Sequence, residues 1–242
     1  MENNLQLNGK TALITGGTKG IGLAIAEAMI QQGMKVAITG RNKSTVDEVV
    51  DKLNGMMANS VIGIEADVRD LEAQKLSVQT VIEEWGKLDV LIANAGLGHF
   101  VSIDEMSAQQ WHDVIDVNLT GVFNSVKASI PALKETKGYI ITIASLAGTN
   151  FFAKGAAYNA SKFGLVGFTQ AVMLDLRHEG VKVSTIMPGS VSTHFNNRIP
   201  SEADAWKIQP EDLGQIVIDL LKMHPRTLPS KVEVRPSMPP RK

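Results

Sequence analysis

Thr11-Ala12-Leu13-Ile14-Thr15-Gly16-Gly17-Thr18-Lys19-Gly20-Ile21-Gly22-Leu23-Ala24-Ile25-Ala26 is the stretch that decides the fold. It begins as a short apolar run with strand character and ends with helical period, and Gly16, Gly17, Gly20 and Gly22 lie between. A strand therefore enters a tight turn and leaves as a helix. Glycines allow the backbone to approach a ligand closely there, and the free N–H groups at the start of the helix suit a phosphate. The Thr-Gly-x-x-x-Gly-x-Gly spacing differs from the commoner Gly-x-Gly-x-x-Gly fingerprint of dinucleotide sites. Leu23, Ala24, Ala26 and Ile30 can face a sheet, and Gly33 stops the helix after about Gln32.

The same alternation continues along the chain. Strands are expected near Thr11–Thr15, Lys35–Thr39, Val61–Glu65, Leu88–Ala93, Gly138–Ala144, Val181–Met187 and Lys231–Val234. After the first helix, others are expected over Ser44–Asn54, Asp70–Trp85, Ser107–Lys134, Ala157–Glu179 and Pro210–Met223. Ser107 can cap its helix, and Pro210 suits a first helical turn. With right-handed crossovers, this order gives a doubly wound α/β fold of the Rossmann type. It has a seven-stranded parallel sheet, helices on both faces, and one domain over residues 1–242.

Composition narrows the function. The 242 residues carry 24 Lys+Arg against 25 Asp+Glu, which is no electrostatic footprint for nucleic acid. The chain has no cysteine, which excludes a disulfide framework, a thiolate metal site and a cysteine nucleophile. The five histidines lack metal-ligand spacing, so no metal is expected. Met1-Glu2-Asn3-Asn4 does not read as a secretory leader, and no apolar run reaches a membrane span. A soluble, cytoplasmic protein is expected.

Ligands of doubly wound sheets sit beyond the carboxyl ends of the strands, so those positions matter most. The second strand ends in Thr39-Gly40-Arg41-Asn42, with no acid to accept a ribose hydroxyl. Arg41 offers a planar fork to a phosphate, and Lys19 adds a second cation from the glycine loop. Together they favour NADP over NAD. Later strand ends carry Asp67-Val68, Asn94-Ala95-Gly96, Ser145 and Pro188-Gly189.

Tyr158 is one of only two tyrosines, and Lys162 follows it by four residues. On a helix the two side chains share a face. A phenol with a pKa of about 10 transfers protons poorly at neutral pH, and a neighbouring cation is expected to lower that value. A tyrosine tuned in this way can give a proton to a carbonyl oxygen or take one from an alcohol.

Several motifs now stand in order: the loop Thr15–Gly22, Asn94-Ala95-Gly96, Asn118, Ser145, Tyr158-x-x-x-Lys162 and Pro188-Gly189-Ser190-Val191-Ser192-Thr193. From about Lys10 to Met223 the chain resembles the single-domain short-chain dehydrogenases/reductases, including the 3-oxoacyl-[acyl-carrier-protein] reductases. The resemblance implies that Tyr158 is the general acid/base and that Ser145 binds the substrate oxygen. Lys162 would hold the nicotinamide ribose, and Asn118 would bind a water leading from Lys162 to solvent. Gly16, Thr18, Lys19, Gly20 and Ile21 would meet the pyrophosphate side of the cofactor. Asp67 and Val68 would meet the adenine, and Asn94, Ala95 and Gly96 the adjoining ribose region. Val191 and Thr193 would meet the nicotinamide carboxamide, and Pro188 and Gly189 would also contact the cofactor. A homodimer through the helices of Asn118 and Tyr158, or a homotetramer, is also implied.

Two departures bear on substrate. The stretch Leu133-Lys134-Glu135-Thr136-Lys137-Gly138 is mixed in sign, and the last strand runs into Arg235-Pro236-Ser237-Met238-Pro239-Pro240 instead of a glycine-rich close. Both count against an acyl carrier and a tetramer. The segment near 194–209 reads as a short lid over a rather open pocket. That pocket is expected to be lined by Leu97, His99, Phe100, Leu146, Phe151, Phe152, Ser190, Phe195 and Trp206. The expected activity is hydride transfer between NADP(H) and a small carbonyl compound or secondary alcohol. The alternatives are a 3-oxoacyl-[acyl-carrier-protein] reductase and an NADP(H)-binding redox sensor without turnover. A sugar-nucleotide epimerase of the extended branch lacks room for its substrate domain.

Overall fold

The computed structural model describes residues 7–239, so Met1–Asn4 and Pro240 lie outside the described residues. Seven strands form one parallel sheet in the order β3-β2-β1-β4-β5-β6-β7. They are β1 Thr11–Ile14, β2 Lys35–Gly40, β3 Val61–Glu65, β4 Val90–Ala93, β5 Tyr139–Ile143, β6 Lys182–Pro188 and β7 Lys231–Val234. Strands β1, β4 and β5 are buried along their whole length, which is why they read as unbroken apolar runs. Ala12 pairs with Val36 on one side and Val90 on the other. From β1 the chain winds outward to β3, then returns to β4 and winds the other way. The reversal between β1 and β4 opens a crevice at their carboxyl ends.

Helices α1 (Gly20–Gln31), α2 (Lys43–Met56) and α7 (Pro210–Leu221) cover one face; α3 (Leu71–Trp85), α5 (Gly121–Thr136) and α6 (Ala156–Leu176) cover the other. Alternation along β1 supplies both cores. Ile14 packs in the layer containing Ile25, Met29 and Val217, and Leu13 packs with Val81, Val126 and Leu165. Asp89 fixes the entry to β4 against β1. Its carboxylate accepts from Lys10 Nζ at 2.6 Å and from the Thr11 backbone N–H at 2.9 Å.

Where one helix was expected over Ser107–Lys134, the chain forms α4 (Ala108–Ile115), a π-helical turn over Asp116–Thr120, and then α5. Periodicity does not register such a turn, because one extra residue per turn leaves the flanking helical pattern nearly intact. The expected helix over Ala157–Glu179 ends as an α-helix at Leu176, and a 3₁₀ turn carries the chain to Gly180 at φ 81°. Ser107 caps α4 in a reciprocal box with Gln110, and Pro210 opens α7. No described helix is long and apolar enough to cross a membrane.

Candidate active site

The loop after β1 is held by side chains as well as by its glycines. Thr15 Oγ1 accepts from the backbone N–H groups of Asn94 and Ala95 at 3.0 and 3.1 Å. Asn94 Nδ2 returns two bonds, to the Thr15 and Gly16 carbonyls at 2.9 and 3.0 Å. The ends of β1 and β4 are thus locked together on either side of the crevice. Gly16 and Gly20 have φ of 65° and 56°, a region that side chains disfavour. Thr15 and the amide of Asn94 are braces that motif spacing did not single out for this role.

A cleft of about 1100 Å³ lies over the carboxyl ends of the strands. Gly16, Thr18, Lys19, Gly20, Ile21, Arg41, Asp67, Val68, Asn94, Ala95, Gly96, Ser145, Tyr158, Lys162, Pro188, Gly189, Val191 and Thr193 all line it. The site residues expected from sequence therefore converge, apart from Asn118. The electrostatics suit an elongated, phosphate-bearing cofactor. Helices α2, α3 and α4 have their first N–H groups capped by Asn42, Asp70 and Ser107, whereas α1 has no side-chain cap and no acid in its first turn. Its start lines the cleft as an open anion site. Asp67 also lines the cleft, but Arg69 Nε bonds both its oxygens, at 3.1 and 3.0 Å. The Arg69 hydrogen bonds, with a smaller contribution from the charge of Arg41, hold the Asp67 carboxyl below the usual range despite partial burial.

Ser145 follows β5, and its hydroxyl accepts from the Ala147 N–H at 3.1 Å and donates to the Pro188 carbonyl at 3.4 Å. Tyr158 and Lys162 sit one turn apart on α6. The Lys162 ammonium lies 5.7 Å from the centre of the Tyr158 ring and donates to the Ile143 carbonyl at 3.0 Å. Lys162 is only 4% exposed, and burial lowers its pKa to about 8. Burial likewise pushes the Tyr158 phenol up to about 12, with a hydrogen bond to Ser145 working the other way. This corrects the expectation that the neighbouring cation lowers the tyrosine. Removal from water dominates here, with the ammonium 5.7 Å from the ring centre. At neutral pH the phenol keeps its proton.

Asn118 is set apart from the other site residues expected from sequence, because it does not line the cleft. It is fully buried behind the cleft, in the π-helical turn. Its Nδ2 donates to the Leu97 carbonyl at 2.9 Å and to Ser161 Oγ at 3.1 Å, and its Oδ1 accepts from the Leu97 N–H at 2.9 Å. Both amide hydrogens are thus committed to protein. Ser161 in turn donates to the Tyr158 carbonyl at 2.8 Å, so Asn118 joins the loop after β4 to the helix of Tyr158. Asn159 does the same on the other side. Its Nδ2 donates to the carbonyls of Ala147 and Asn150, both at 2.8 Å, and holds the loop after Ser145 in place.

On the substrate side, Leu97, Phe100, Leu146, Phe152, Ser190, Phe195 and Trp206 line the cleft as expected. His99 and Phe151 do not. His99 Nε2 lies 3.5 Å from Asp113, and Phe151 is 86% exposed, because the backbone beside each turns the neighbouring phenylalanine inward instead. Phe100 meets the Tyr158 ring edge-on at 5.3 Å, and Phe195 stands 5.8 Å from it. A parallel bridge between Val191 and Ile208 pins the base of the segment that carries Phe195. The end of the chain adds a wall absent from the expected pocket: Arg235, Pro236 and Pro239 line the same cleft. The Gly189 N–H donates to the Val234 carbonyl at 2.8 Å and ties that tail to the site.

A family model described as short chain dehydrogenase matches residues 10–204. An uncharacterised oxidoreductase of Staphylococcus saprophyticus is 33% identical over 233 residues, covering 96% of this chain and 99% of that protein. Among solved structures, an alcohol dehydrogenase from the archaeon Thermococcus sibiricus, complexed with 5-hydroxy-NADP, superposes with a TM-score of 0.89 at 28% identity. That match covers 96% of this chain and 99% of the other. A metagenomic short-chain oxidoreductase in complex with NADP gives 0.84 at 32% identity, over 97% and 100% of the two chains. The matched stretch begins before the glycine loop and ends within the segment that carries Phe195, so it contains most of the cleft, and this chain belongs to the short-chain dehydrogenases, a family of oxidoreductases.

Proposed function

We propose that the protein is an NADP-dependent oxidoreductase acting on a carbonyl compound or secondary alcohol. The observation that carries the reading is the meeting, in one cleft, of the uncapped start of α1 with Ser145, Tyr158 and Lys162. When bound, the nicotinamide supplies or accepts the hydride, and the protein contributes orientation and the proton. The N–H groups at Gly20 and Ile21 would hold the pyrophosphate, with Gly16 and Thr18 shaping the turn. Arg41 and Lys19 would hold the 2′-phosphate. Asp67 and Val68 would face the adenine; Asn94, Ala95 and Gly96 the ribose region; Pro188, Gly189, Val191 and Thr193 the nicotinamide.

In reduction, the carbonyl carbon gains the hydride while its oxygen takes the Tyr158 proton, giving the alcohol. Ser145 donates a hydrogen bond to the oxygen as charge builds on it. Lys162 favours the phenolate left behind and anchors the ribose hydroxyls. Its lowered pKa also lets it pass a proton back to Tyr158 near neutral pH. Asn118 would bind a water leading from Lys162 to solvent, and its side chain braces the loop after β4 against the helix of Tyr158 while Asn159 holds the loop after Ser145, which keeps these groups in register. The segment 194–209 serves as the substrate lid. A homodimer through α5 and α6 is supported by Phe123, Phe163 and Leu174, which stand 45%, 43% and 52% exposed on those helices.

Following NADPH consumption across a panel of aldehydes and ketones tests the reading. Turnover is expected, and Tyr158→Phe should lower kcat by about 10²-fold or more while leaving NADPH affinity within about threefold. Tight NADPH binding with no turnover of any carbonyl would favour a redox sensor instead.

A further inference from the structure

Around Tyr158 the cleft is aromatic, and its lining also carries several cationic side chains. Phe100, Phe152 and Phe195 form the inner wall; the Phe100 and Phe152 rings lie 5.8 Å apart. The lining of the same cleft also carries Lys154, Arg198, Lys207 and Arg235, together with His194. They come from three separate parts of the chain: the loop after β5, the lid, and the tail after β7. Among the described residues, Asp67 is the one carboxylate residue lining the cleft, and it lies beside Arg41 and Arg69.

Some of this charge is balanced. Lys207 pairs with Asp204 and Arg235 with Glu233. Arg198 feels Asp204 as well, but that acid is already held by Lys207. Among the described residues, Lys154 and Arg198 have no carboxylate within ion-pair distance, so the substrate arm keeps a net positive field. A charge of one sign in a walled cleft attracts the opposite charge and raises its rate of capture.

Resting on the reductase reading above, we propose that the substrate is an anionic carbonyl compound. Its apolar or aromatic body lies against Phe100, Phe152 and Phe195, and its carboxylate or phosphate is directed toward Lys154 and Arg198. The reacting carbonyl is held at Ser145 and Tyr158, and the negative group sits at the other end of the molecule. The chemistry at the carbonyl is unchanged: one hydride from NADPH to carbon, one proton from Tyr158 to oxygen.

A matched pair of probes tests this: 4-formylbenzoate and its neutral isostere 4-formylbenzamide, each assayed with NADPH at low and high salt. The expected result is a kcat/KM about tenfold or more higher for the carboxylate at low salt, with the ratio shrinking as salt is added. Lys154→Gln and Arg198→Gln should each lower that ratio about threefold or more, and the double variant further. NADPH affinity is measured on every variant. Equal efficiency for the two probes, or a preference for the amide, overturns the proposal. Arg198→Gln weakening NADPH without altering the ratio would assign that charge to the cofactor and also overturn it. If other carbonyls are reduced but neither probe is, the inference fails and the reductase reading stands. If no carbonyl is reduced at all, the reductase reading itself fails.

Discussion

Lys162 is a buried ammonium with a single protein acceptor among the described residues, and that leaves a measurable trace in stability. Its folded pKa of about 8 lies below its unfolded value of 10.5, so between those values the unfolded chain binds the extra proton. Stability of the cofactor-free protein should therefore rise as pH goes from 8 toward 10. Lys182 is shifted in the same direction by burial. Tyr158 acts oppositely above pH 10, because its folded pKa is the higher one. Urea unfolding at pH 7, 8, 9 and 10 checks this, and Lys162→Met should flatten most of the slope. Arg41 invites a different test at the same scale. Arg41→Ala should weaken NADPH by about 1–2 kcal/mol while changing NADH far less; equal losses would remove the phosphate role.

At the scale of elements, the glycine loop works because β4 supports it. A methyl group on Gly22 would stand 2.5 Å from Asn94 Nδ2 and 2.5 Å from the Gly16 carbonyl, the two partners of one brace bond. Gly22→Ala should therefore cost roughly 1–3 kcal/mol of stability and reduce NADPH affinity about tenfold or more, read by urea unfolding and by titration. The interrupted helix between α4 and α5 follows the same logic. Its π-helical turn carries Asn118 where the side chain meets Leu97 and Ser161 together. Motif spacing marked Asn118 as functional, but nothing in the periodicity marked the turn that directs it inward.

For the whole molecule, binding should report which cofactor the cleft is built for. A ligand stabilises the folded state by mass action, so at equal concentration NADP should raise Tm more than NAD. A dye-free scan of the two side by side checks it, and equal shifts would count against Lys19 and Arg41 as phosphate ligands.

The strand-loop-helix at Thr11–Ala26 and the repeating apolar pattern were enough to establish the winding of the sheet, because burial on both faces leaves little freedom in which residues form strands. The cleft was legible for a related reason: much of its lining falls at strand ends, and strand ends are sequence-local. What tertiary structure decided was everything set by approach through space. It turned Phe100 and Phe152 inward in place of His99 and Phe151, committed the Asn118 amide to backbone and Ser161, and raised the phenol of Tyr158 through burial. It also brought Arg235 and Pro236, nearly eighty residues after Tyr158, onto the rim of the same cleft. Desolvation and long-range contact depend on which surfaces meet, and spacing along the chain does not carry that information.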